Sequence, residues 1–89
     1  MEIIVKGYFF DGVLEPFTAT VTKETAIKAR GRLEIERRNI INHLRKLQEQ
    51  GEIKSVFRPK NKKIQQQLND LVKAKKILKE SVEKIRMIF

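Results

Sequence analysis

The sequence predicts a small α+β domain in the order β-β-α-β-α: an N-terminal β-hairpin, a long helix, a short third strand and a long C-terminal helix. Three observations predict it. β-Branched and aromatic residues crowd both sides of an Asp-Gly pair at 11–12. Two stretches of nearly equal length space their apolar residues by threes and fours without an internal proline. Between them, GEIKSVF is bounded by Gly51 and Pro59. The expected elements are a hairpin over 1–22, a helix over 23–50, a strand over 52–58 and a helix over 61–88, all in one domain.

The hairpin rests on Ile3, Ile4, Val5, Tyr8, Phe9 and Phe10 before the turn, and on the run Val13 to Thr22 after it. Asp11-Gly12 fits a two-residue type I′ turn. That turn sets Phe10 against Val13, Lys6 against Phe17 and Gly7 against Pro16. Proline has no N–H for a ladder, so the second strand is expected at an edge or bulged. In this register Ile4, Tyr8, Phe10, Phe17 and Val21 share one face, with Ile3, Val5, Phe9 and Leu14 on the other. One face meets the helices, leaving the other for a second subunit or a ligand.

Thr22 or Thr25 can cap the first helix, with Glu24 in its first turn and Gly51 at its end. Ala26, Ala29, Leu33, Ile40, Leu44 and Leu47 fall on one stripe. A competing reading ends a first helix at Gly31, turns through Leu33-Glu34-Ile35 and restarts near Glu36, because Ile35 points away from that stripe. The segment RPKNKK at 58–63 reads as an exposed cationic loop. Asn61 can then cap a second helix on which Ile64, Leu68, Leu71, Leu78, Val82, Ile85 and Phe89 keep heptad spacing, interrupted by Lys75. Two such helices pack most simply as an antiparallel pair.

Two segments resemble known families. VKGYFFDGVLEPFT is similar to the opening hairpin of the small archaeal ribosomal protein LX in its V-K-G-x-F start and P-F-T close. That resemblance implies a basic α+β protein lying on ribosomal RNA, although long helices depart from the family's pattern. Under the broken-helix reading, NIINHLRKLQEQGEI resembles the recognition helix and wing of winged helix-turn-helix regulators. What that implies is DNA contact by Arg37, Arg38, Asn42 and Arg45 in a major groove, with the C-terminal helix dimerising.

Composition narrows the function. A chain of 89 residues buries only about 60 to 65 per cent of its unfolded surface, which leaves little room for a deep pocket beside a core. No cysteine is present, and a lone His43 cannot complete a zinc site. There is no phosphate loop, no nucleophile with a partnered base and no metal-spaced carboxylate cluster, so neither catalysis nor a cofactor is expected. No segment reaches the roughly 20 apolar residues that cross a bilayer, and the expectation is an unprocessed cytoplasmic protein.

Net charge is the informative quantity, at +9 from 20 Lys and Arg against 11 Asp and Glu. Arg30, Arg32, Arg37, Arg38, Arg45 and Lys46 form a first cluster, dominated by arginine as suits bidentate phosphate recognition. Lys54, Arg58, Lys60, Lys62 and Lys63 form a second. The expected function is non-enzymatic binding of DNA or RNA through phosphate contacts by a homo-oligomer, assembled through the C-terminal helix or the hairpin. The alternative is a phage- or plasmid-type interaction or inhibitor protein whose positive face binds an acidic protein or an anionic nucleotide. His43 reads as a partly exposed structural residue or a phosphate contact, and the residues Glu34 and Glu36 as partners of Arg37 and Arg38 on a solvated face.

Overall fold

The computed structural model describes residues 1–49 and 62–89 of the chain. Its elements run β1 (Glu2–Phe10), β2 (Leu14–Thr22), α1 (Ala26–Glu49) and α2 (Lys62–Ile88). The α+β class, the antiparallel hairpin and the two long helices are therefore present. The strand expected over 52–58, the Gly51 cap and the Asn61 cap lie outside the described residues.

The hairpin closes differently from the expected turn. Within the hairpin only Gly12 has a positive φ, at 74°, whereas a type I′ turn needs positive φ at both central residues. Asp11 stays in ordinary backbone space, its N–H donates to the Val13 carbonyl at 3.3 Å, and a three-residue connection replaces the two-residue one. The register moves by one, so Phe10 lies opposite Leu14, Gly7 opposite Phe17 and Pro16 opposite Tyr8. A one-residue shift changes which side chains share a face. Val21 and Phe17 now join Ile3, Val5, Gly7 and Phe9, and the buried Val5 and Val21 enter a single core.

Gly7 shows why this register is held. A Cβ built there would lie 2.6 Å from the end of the Phe17 ring and 2.8 Å from Leu33 Cδ2. The strand comes that close to α1 because position 7 has no side chain, and the Phe17 ring fills the space from across the ladder.

Both helices also hold the outer edge of β1. Lys84 Nζ donates to the Ile4 carbonyl at 3.4 Å and Ser81 Oγ to the Lys6 carbonyl, while the Phe10 N–H donates to Glu36 Oε2 at 3.1 Å. These backbone groups all belong to even-numbered residues, so the odd-numbered ones turn toward β2. An edge that would otherwise invite another strand is occupied by helix side chains.

At the start of α1, Thr25 Oγ1 accepts from the Thr22 N–H at 2.9 Å, and the Thr25 carbonyl accepts from the Ala29 N–H at 2.9 Å, which puts Thr25 at the N-cap position. From Ala26 the helix passes through Gly31 without a break. This removes the corner at Leu33–Ile35 that the winged helix-turn-helix reading requires. Leu33, Ile40, Leu44 and Leu47 are buried as the stripe predicts, against Leu68, Leu71, Leu78, Val82 and Ile85 of α2 in one cluster. The helices run antiparallel: Ala26, Ile27 and Arg30 share a hollow with Ile85, Arg86 and Phe89, whereas His43 lies 3.5 Å from Gln67 through their Nε2 atoms.

Gly7→Ala tests the close approach. It should destabilise the protein by about 1–3 kcal/mol, because Phe17 or the buried Leu33 must leave its place. Urea unfolding measures this, and a change within about 0.5 kcal/mol would show that the site yields freely.

Candidate functional site

The helices leave a hollow of about 330 Å³ between them, lined by Glu34, Arg37, Arg38 and Ile41 of α1 and by Lys79, Val82, Glu83 and Arg86 of α2. A smaller one of about 140 Å³ adjoins it through Arg86, with Ala26, Ile27, Arg30, Ile85 and Phe89 as its other walls. No hairpin residue lines either of them. Together they form a groove with five cations and two carboxylates along its sides.

Arg37 is the unusual member. It fills the gap between Leu33 and Ile40 on the stripe of α1, a place where the alternation of fours and threes calls for an apolar side chain. The residue is partly buried, and its Nε is shielded from solvent with no hydrogen-bond partner among the described residues. Leaving such a donor unsatisfied costs about 1–3 kcal/mol. The Glu carboxylates of the groove do not relieve it: Glu34 instead pairs with Arg86 across the helices at 3.5 Å, and both side chains are largely exposed, so that bridge contributes little.

The remaining predicted residues scatter. Arg32 projects to the hairpin side, its guanidinium 4.8 Å from the centre of the Phe9 ring, which itself stacks on Phe17 at 4.3 Å. Arg45 and Lys46 are exposed farther along α1 and line neither part of the groove. The first cluster is thus not one face. Arg30, Arg37 and Arg38 turn to the groove, while Arg32 turns away from it. Lys54, Arg58 and Lys60 lie outside the described residues, and Lys62 and Lys63 open α2.

The expected pairing of Glu34 and Glu36 with Arg37 and Arg38 is corrected. Glu36 does not pair with its neighbouring arginines but accepts the Phe10 amide, and Glu34 reaches α2. His43 packs edge-on against Phe10 at 4.9 Å and approaches Gln67, a structural position between hairpin and helices. A third hollow of about 430 Å³ lies beside the hairpin, lined by Lys6, Gly7, Tyr8, Pro16, Phe17, Thr18 and Ile77. It is the largest of the three, yet it carries a single charged residue and gathers no cluster able to hold an anion.

Lys79, Arg86 and Phe89 were not visible as site residues in the sequence. A signal existed: Arg30 and Arg37 are seven residues apart, as are Lys79 and Arg86, and each pair borders an apolar stripe. When two stripes pack face to face, such borders meet. No family model, curated protein or solved structure matches the chain. Among the described residues no helix is long and apolar enough to cross a membrane.

The orphaned nitrogen gives a direct test. Arg37→Leu should leave stability unchanged or raise it by about 1 kcal/mol, since the stripe gains an apolar residue and loses an unpaired donor. A loss above about 1 kcal/mol in urea unfolding would show that the guanidinium stabilises the fold.

Proposed function

We propose that this chain is a small, basic, non-enzymatic nucleic-acid-binding protein that acts through the phosphate backbone. The observation that carries the reading is the interhelical groove, with Arg30, Arg37, Arg38, Lys79 and Arg86 along it. Arginine presents a planar fork of donors that matches phosphate oxygens, and a net charge of +9 supplies the long-range attraction. Phosphate contacts fix position without reading sequence, so DNA and RNA of any sequence are bound alike.

Self-association belongs to the same proposal, through the hairpin rather than the C-terminal helix. The α2 stripe is used within the chain, whereas Ile4 and Val13 stand 66% and 69% exposed on the hairpin. The acidic-protein and free-nucleotide partners share the same cations and differ in how binding responds to salt.

Titration with single strands, duplex DNA and duplex RNA at two salt concentrations tests the proposal. Five neutralised phosphates give a slope of log K against log salt of about −3.5 on a single strand, with little dependence on base sequence. Failure to bind any of them at low salt would leave the acidic partner as the better reading.

A further inference from the structure

We infer that the groove seats one strand of nucleic acid rather than a duplex, with Phe89 as a platform for a base. This inference deepens the reading just proposed and rests on it.

The first argument is shape. Proteins that read duplexes commonly offer a projecting element to the major groove, which is about 12 Å wide and admits a whole helix. Here Arg37 is partly buried between two packed helices and the exposed Lys79 stands at the edge of the same hollow of about 330 Å³. A single chain of phosphates enters such a furrow, whereas the backbones of a duplex are held apart by its base pairs. The two hollows have Arg86 as a common wall, with Arg30 beside the smaller one and Arg38 and Lys79 beside the larger.

The second argument is the composition of the walls. Ile41 and Val82 stand among the cations of the larger hollow, and Ile27, Ile85 and Phe89 among those of the smaller one. Alternating charge and apolar surface suits a strand whose phosphates and bases are both accessible. It suits a duplex poorly, because a duplex turns its phosphates outward and keeps its bases stacked inside. Single-strand sites combine a positive groove that follows the backbone with an aromatic ring on which a base stacks. Phe89 meets that requirement: it is 39% exposed, it lines the smaller hollow beside Arg30 and Arg86, and its N–H is anchored to the Ile85 carbonyl at 2.9 Å. Ile27, 78% exposed on the facing helix, supplies a second apolar surface across the same hollow.

The third argument concerns which cations take part. Arg32 is engaged with the Phe9 ring, and Arg45 lies off the groove. Charge removed from these two positions lowers the general attraction only. Charge removed from Arg38 and Lys79 lowers it equally and also takes two donors out of the groove. Matching the number of charges removed therefore separates seated binding from diffuse attraction.

The test uses the full chain and an oligonucleotide of about 12 nucleotides, within the usual footprint of such sites, offered single-stranded and as a duplex. The single strand should bind at least tenfold more tightly than the duplex. The double variant Arg38→Gln with Lys79→Gln should lose at least tenfold in single-strand affinity, and Arg32→Gln with Arg45→Gln only a few-fold. Phe89→Ala should lose about tenfold, as expected when one stacked base is released, with Phe89→Tyr restoring binding. Urea midpoints of all variants separate misfolding from lost contacts. Equal loss in the two double variants, or a duplex bound as tightly as the strand, would overturn the groove as the seat while leaving nucleic-acid binding intact. Absence of binding to every nucleic acid would instead overturn the broader proposal.

Discussion

A two-stranded hairpin is marginal in water, and the arrangement of this protein depends on how its hairpin is held. The close approach at Gly7 is the decisive contact. It lets β1 settle against Leu33 under the Phe17 ring, while Ser81, Lys84 and Glu36 take up the backbone groups of its outer edge. These contacts fix the rotation of α1 as well as the position of the sheet. With Leu33 held toward β1, Arg37 one turn later falls at the seam with α2, and Arg30 and Arg38 fall on the border away from the sheet. The groove is a consequence of that rotation, so the packing of an apolar face determines where the charge is displayed.

Under the proposed reading, the same geometry sets Arg37 apart from charges that serve only solubility. Exposed Lys and Arg tolerate nearly any placement, but an arginine on an apolar stripe does not. Arg37 occupies a core position with its Nε shut off from solvent and unpaired, a local conflict between sequence and packing. Such conflicts concentrate at functional sites, where stability is given up for a contact made only with a ligand. Lys75, partly buried at the corresponding break in the α2 stripe, repeats the pattern less strongly.

Much of the fold was legible because it rests on periodicity. The β-branched runs around Gly12, the stripe from Ala26 to Leu47 and the heptad from Leu68 to Ile85 each specify an element without outside help. The register was not legible from the turn, since Asp-Gly fits more than one connection. It was implicit in the positions of Val5 and Val21, which share a face only if odd-numbered residues pair. The candidate site was half legible. Arginine clusters were visible along the chain, but whether two neighbours lie together depends on helix rotation, and this separated Arg32 from Arg30. Lys79 and Arg86 join the site only through the partner helix. Phe89 continues the α2 stripe in sequence and is nevertheless partly exposed in the fold.

The most direct measurement follows the arginine side chains themselves. In a ¹⁵N spectrum of the Nε–Hε groups, Arg37 should give a resonance protected from solvent exchange in the free protein, in keeping with its buried nitrogen. Addition of a short single strand should shift the resonances of Arg37, Arg38 and Arg86 and leave those of Arg32 and Arg45 nearly unmoved. Uniform small shifts over all the arginines, or shifts confined to Arg32 and the hairpin amides, would contradict the groove as the place where this protein meets its ligand.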